Sequence, residues 1–116
     1  MTDIALLDPR AKSLETPWQL IPGHPGIEEK ILLHDMQTGS TAGLLRLEAG
    51  AGLPRHHHGH DSHHLVVMEG TCQIGGSILR PGSHVFVPAG SDHGIDAAGP
   101  TGCLLSFVDG PELAVA

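Results

Sequence analysis

The sequence predicts an all-β domain, a sandwich or barrel of short strands, and three observations carry that expectation. Sixteen glycines and nine prolines among 116 residues impose frequent tight turns and leave little room for long helices. The apolar runs are short, separated by turn residues at close spacing, and show no helical period. Hydrophobic residues make up 40% of the chain but aromatics only 3%, so Leu, Val, Ile and Ala must fill the core. A chain of this length makes one domain with a modest single core. It shows no internal repeat and no second domain.

The elements follow in order. Residues 1–27 read as an irregular N-terminal arm, with Pro9, Pro17, Pro22 and Pro25 spaced through it. The β-barrel is expected over residues 28–110, and residues 111–116 as a C-terminal tail. Glu28 to Asp35 contains Ile31-Leu32-Leu33 and predicts a strand, closed by the polar turn Gln37-Thr38-Gly39-Ser40. In Leu44-Leu45-Arg46-Leu47-Glu48, alternation turns Leu45 and Leu47 inward and Arg46 and Glu48 outward. Gly50-Ala51-Gly52-Leu53-Pro54 turns the chain into a histidine-rich stretch, and an apolar strand follows from His63. Thr71 to Ile74 and Ser77 to Leu79 flank Gly75-Gly76, the signal of a two-residue hairpin. Arg80-Pro81-Gly82-Ser83 leads into His84-Val85-Phe86-Val87. Pro88-Ala89-Gly90-Ser91-Asp92 leads into His93-Gly94-Ile95-Asp96. A last strand, Cys103 to Val108, precedes a tail from Asp109.

Charge and composition exclude some functions. A net charge of −7 disfavours nucleic acid and anionic membranes as partners, because neither has phosphates neutralised by this chain. No stretch reaches the roughly 18 apolar residues of a membrane span. Met1 to Ile4 open no basic region followed by an apolar run, so no signal peptide is expected, and a cytoplasmic location is. Cys72 and Cys103 read as buried thiols acting as small apolar fillers.

Six of the ten histidines lie between His56 and His64: His56, His57, His58, His60, His63 and His64. Neutral imidazole is the commonest protein ligand for transition metals. Strand parity sorts the run, since His56 and His58 project to one face and His57 to the other. The segment Gly59 to Ser62 can reverse the chain and return His63 on a neighbouring strand. His63, Leu65 and Val67 then share one face, and His64, Val66 and Met68 the opposite one. A further ligand should come from elsewhere, and His93 is delivered by the tight turn at Pro88-Ala89-Gly90. The expected metal set is His56, His58, His63 and His93. His57, His60 and His64 read as solvated, His84 as a surface or interface residue, and His24 and His34 carry no signal. Glu69 and Asp92 read as turn residues. Leu65, Val67, Ile95 and Phe107 are candidate pocket walls, Met68 and Phe86 core or interface. Trp18 either caps the barrel mouth or buries the arm.

At these spacings the chain resembles the cupin superfamily. One cupin motif runs Gly, five residues, His-x-His, three or four residues, Glu, six residues, Gly; here it falls on Gly50, His56, His58, position 63 and Gly70. The other runs Gly, five residues, Pro-x-Gly, two residues, His, three residues, Asn; here it falls on Gly82, Pro88, Gly90, His93 and position 97. The match spans roughly residues 44–108. Two positions depart from it. His63 stands where the motif has glutamate, and Ala97 where it has asparagine. Replacing a carboxylate by a fourth imidazole leaves a divalent ion with two net positive charges in place of one, which favours an anionic ligand.

The resemblance implies a single-domain jelly-roll, the double-stranded β-helix, holding one divalent transition metal: iron, manganese, zinc or nickel. It is similar to small four-histidine cupins, in particular diketone-cleaving dioxygenases and anti-sigma-factor cupin domains. Pro17-Trp18 and Pro25-Gly26-Ile27 are similar to the N-terminal stretch of the diketone-cleaving group. Two readings follow. One is a metal-dependent dioxygenase or related oxidoreductase acting on a small chelating or enolisable organic substrate. The other is a non-catalytic module that senses or binds a metal or small molecule. An isomerase-type cupin is third. A homodimer is expected, as small cupins commonly exchange N-terminal strands. No Ser or Cys nucleophile paired with a base is visible, so any catalysis is metal-centred.

Overall fold

The structure, a computed structural model, describes residues 17–56 and 61–111, without the side chains of Arg55 and His56. Among these residues every regular element is a strand: β1 Gln19–Leu20, β2 Ile27–His34, β3 Thr41–Leu47, β4 Leu53–His56, β5 Asp61–Ile74, β6 Ser77–Leu79, β7 His84–Val87, β8 His93–Ile95 and β9 Ala97–Pro111. The all-β expectation holds, because glycines with positive φ recur at the reversals. Gly75 (φ 58°) and Gly76 (φ 83°) close the β5–β6 hairpin, with Ile74 opposite Ser77.

Seven strands form one sheet in the order β1-β2-β3-β9-β5-β6, and β7 also pairs with β5. The long strand β5 lies against β9 on one side and against β7 and then β6 on the other. A second sheet contains β4 and β8. All pairs are antiparallel, so each strand can present one face to the interior. The core is Ile27, Leu45, Leu47, Val67, Cys72, Ile95, Ala98, Cys103, Leu105 and Phe107. Aliphatic residues and two thiols do the filling, as the composition requires.

Register stacks these side chains in rows across the sheet. Thr41, Asp109, His63 and Val87 are successive partners on β3, β9, β5 and β7. Two residues further along, Ile31, Gly43, Phe107, Leu65 and Val85 form the next row. Glu29, Leu45, Leu105 and Val67 form a third. In the middle row Gly43 is required by close approach, since a Cβ there would sit 2.9 Å from Phe107 Cζ and 2.5 Å from the Lys30 carbonyl. The missing side chain is the space the aromatic ring occupies.

Several sequence expectations are corrected here. β9 runs through Asp109 to Pro111, so Asp109 is a ladder residue and does not open a tail; its partner His63 holds it in register. Leu44, on the outward side of β3, is buried at 5% exposure, which alternation alone did not foresee. Of the two alternatives for Met68 and Phe86, the core one is set aside, since they are exposed on the outer face at 45% and 38%. Trp18 is half-buried and does not line the central cavity. It lies beneath the Arg46 guanidinium at 4.0 Å, and that guanidinium also donates to Glu28 at 2.9 Å.

Candidate metal centre at one end of an apolar cavity

The faces of β2, β3, β4, β5, β7, β8 and β9 line a cavity of about 460 Å³ that is open on one side. Ile31, Leu45, Leu53, Leu65, Val85, Val87, Ile95 and Phe107 supply its apolar wall. Of the expected wall residues, Val67 lies beneath it in the core. His63 and His93 both face this cavity. Their ring centroids are 4.8 Å apart and their planes are inclined at 45°. They arrive from different sheets, His63 on β5 and His93 on β8, which is why residues thirty positions apart meet.

The hydrogen bonds select the tautomer of each ring. His63 Nδ1 contacts the Asp109 carboxylate, and an ionised carboxylate can only accept. His93 Nδ1 lies 3.4 Å from the Ser91 carbonyl, which is likewise an acceptor only. With Nδ1 facing an acceptor in each ring, the neutral form of each carries its lone pair on Nε2, the arrangement in which histidine binds a metal while a carboxylate or carbonyl orients it. This donor set fits a divalent transition metal. His63 is 5% exposed, so water competes little for its ring.

His56 ends β4, and its Cα pairs in register with that of His93. The backbone thus brings a third predicted ligand beside the second. His58 lies outside the described residues, as do His57 and His60. Among the described residues no group of three or more His, Cys, Asp or Glu is placed to hold a metal ion. The expectation that the chain returns His63 on a strand adjacent to that of His56 is not met, for β4 pairs with β8 and not with β5. The two sheets face each other, and the histidines converge across the gap.

His64 and His84 take the outer face, as parity requires, with His64 Nε2 3.0 Å from His84 Nδ1. His34 Nδ1 lies 2.8 Å from Thr41 Oγ1. Four polar residues of the cavity escaped the sequence reading: Asp109, Glu29, His24 and Thr41. Glu29 was detectable, because it interrupts the inward stripe Ile27, Glu29, Ile31 with an acid. Asp109 follows an apolar run and looks like its end. Its role needs the β5–β9 register, which no local pattern shows. With Asp109 against His63, the site also holds a negative charge that the four-imidazole count omitted.

A single antiparallel domain with two facing sheets, a central cavity and converging histidines defines a cupin. The chain belongs to the family of ChrR cupin-like domains, whose model matches residues 9–112. No curated protein matches it. Among solved structures it is similar to an RmlC-like cupin from Shewanella frigidimarina, at 28% identity and a TM-score of 0.66, covering 84% of this chain and 85% of that one. It is also similar to an RmlC-like cupin from Ralstonia eutropha, at 21% identity and a TM-score of 0.78, covering 98% and 78%. A third likeness is to the complex of Rhodobacter sphaeroides SigE with the anti-sigma ChrR, at 20% identity and a TM-score of 0.66. There the match covers 81% of this chain and 48% of the other, so this chain spans about half the length of that one. Among the described residues no helix is long and apolar enough to cross a membrane.

Proposed function

We propose that this chain is a metal-dependent cupin enzyme of dioxygenase type, acting on a small organic molecule that presents chelating or enolisable oxygens. The observation that carries the reading is the placement of two Nε2 lone pairs, on His63 and His93, at one end of a largely apolar cavity. His63, His93, His56 and His58 would hold the ion. When bound, it supplies Lewis acidity and a template for oxygen donors. The chain's own residues do the rest. Asp109 and the Ser91 carbonyl keep the rings oriented, and Asp109 balances charge that develops beside His63. Leu65, Val85 and Phe107 receive the apolar part of the substrate and exclude water, which strengthens every polar interaction at the histidine end.

The test is direct. Protein prepared without a histidine tag is analysed for bound metal, loaded with iron(II), and followed for oxygen uptake with β-diketones, thiols and flavonols. Uptake with at least one of these, abolished in the His63→Ala variant, supports the proposal. Full metal occupancy without uptake on any of them counts against it. A second reading rests on the family match to ChrR cupin-like domains and on the half-length overlap with the ChrR complex. In it, the same site senses a metal or small molecule and turns nothing over. Saturable ligand binding with no oxygen uptake selects that reading.

A further inference from the structure

Glu29 is out of place in its strand. Its neighbours on the inward face of β2 are Ile27, with 0% exposure, and Ile31, and its cross-strand partner is the buried Leu45. Inward positions of a barrel strand are normally apolar, so an acid there is the informative exception. The carboxylate lines the same cavity as His63 and Asp109. Among the described residues it makes no hydrogen bond and no ion pair, the neighbouring Glu28 being the one that takes Arg46. Glu29 is half-buried, so its carboxylate reaches the cavity while keeping part of its hydration, and a cation in the cavity would give it a partner.

Register fixes how far this group lies from the histidine end. Glu29 is opposite Leu45, while Thr41 shares the row of Asp109 and His63. Four residues of β3 separate those rows, a distance of roughly 13 Å along the strand. Between them lies the apolar row of Ile31, Phe107 and Leu65. The cavity therefore has a histidine end, an apolar middle and an anionic far end.

We propose that Glu29 forms a cation subsite, so that the preferred ligand carries an oxygen-donor group at one end, an apolar body and an ammonium group at the other. The histidine end of this assignment rests on the metal-centred reading above; the Glu29 end does not. A charge-assisted hydrogen bond inside a protein corresponds to affinity gains on the order of ten- to a hundred-fold.

The experiment titrates zinc-loaded protein calorimetrically with ω-amino carboxylates from γ-aminobutanoate to ω-aminooctanoate, each against the unsubstituted alkanoate of the same length. At the chain length that spans the cavity, the amino compound should bind on the order of ten-fold tighter or more. That preference should vanish in both Glu29→Gln and Glu29→Leu. The leucine variant matches the strand's own apolar pattern, so it guards against loss of the fold. No preference at any length, preference surviving both variants, or no binding by either series overturns the subsite. Stripping the metal with a chelator separates the two ideas. Equal weakening of both series, with the amino preference intact, supports the metal end. Binding of both series unchanged by stripping sinks the metal reading while the Glu29 subsite stands.

Discussion

His63 stands where the motif pattern has glutamate, yet a carboxylate still meets its ring, that of Asp109 on the paired strand. The substitution therefore moves the negative charge one ladder position away and changes its task from ligand to orienting partner. Asp109→Asn keeps the shape but removes the charge that favours the Nδ1–H tautomer. We expect metal affinity to fall about 10- to 100-fold, measured by competition with a coloured chelator, with Asp109→Ala at least as severe. An unchanged affinity in both variants would show that Asp109 does not act on the site. Cys72 and Cys103 set a contrasting case, two thiols that meet each other and not a carboxylate. Both are buried in the core. Burial pushes the Cys72 thiol up and the Cys103 thiol up to about 12, from an ordinary value of 9.0. Between those values the unfolded chain releases the Cys103 proton and the folded chain keeps it, so stability falls as pH rises through that window. Neither thiol should react with iodoacetamide at pH 8 unless urea is added. Rapid alkylation of native protein, read by mass spectrometry, would contradict this.

The strands themselves were largely legible, and the reason is that period-two alternation is a local property. The inward set His63, Leu65, Val67 and the outward set His64, Val66, Met68 follow from parity alone. The hairpin at Gly75-Gly76 follows from turn chemistry. What local pattern does not contain is partner choice. Nothing near His56 says that β4 pairs with β8, and nothing near Val108 says that β9 continues through Asp109 to Pro111. Glycine positions mark where partner choice is enforced. The β5–β9 register shifts between Gly70 and Cys72. There Gly70, at φ 71°, lies so close to β9 that a Cβ would overlap the Gly102 carbonyl. Gly70→Ala should therefore cost about 1–3 kcal/mol from backbone conformation alone, with the overlap adding to it. The midpoint of urea unfolding reads this change. Gly43→Ala tests the middle row in the same way, since its methyl group meets the Phe107 ring. Overpacking of about 1–3 kcal/mol is expected.

Across the whole molecule, the predicted ligands come from both sheets: His63 from the seven-stranded sheet, His56 and His93 from the pair β4–β8. That pair is short, four and three residues, and its register is interrupted between Leu53 and His56. Short, irregular strands hold themselves weakly, so a bound ion would tie the small sheet to the large one. Binding to the folded chain alone stabilises it by about 2.7 kcal/mol at a hundredfold excess over Kd. For a domain of this size that corresponds to a rise in Tm on the order of 10 °C. The gain should have a location as well as a size. Amide exchange should slow on metal addition in β4 and β8, and change little in the β3–β9 ladder, whose protection comes from Leu45, Leu47 and Leu105. His63→Ala should remove both the Tm increase and the local protection. A uniform slowing across both sheets, or a Tm increase that survives the loss of His63, would mean that the ion binds elsewhere in the histidine run and leaves the cavity uninvolved.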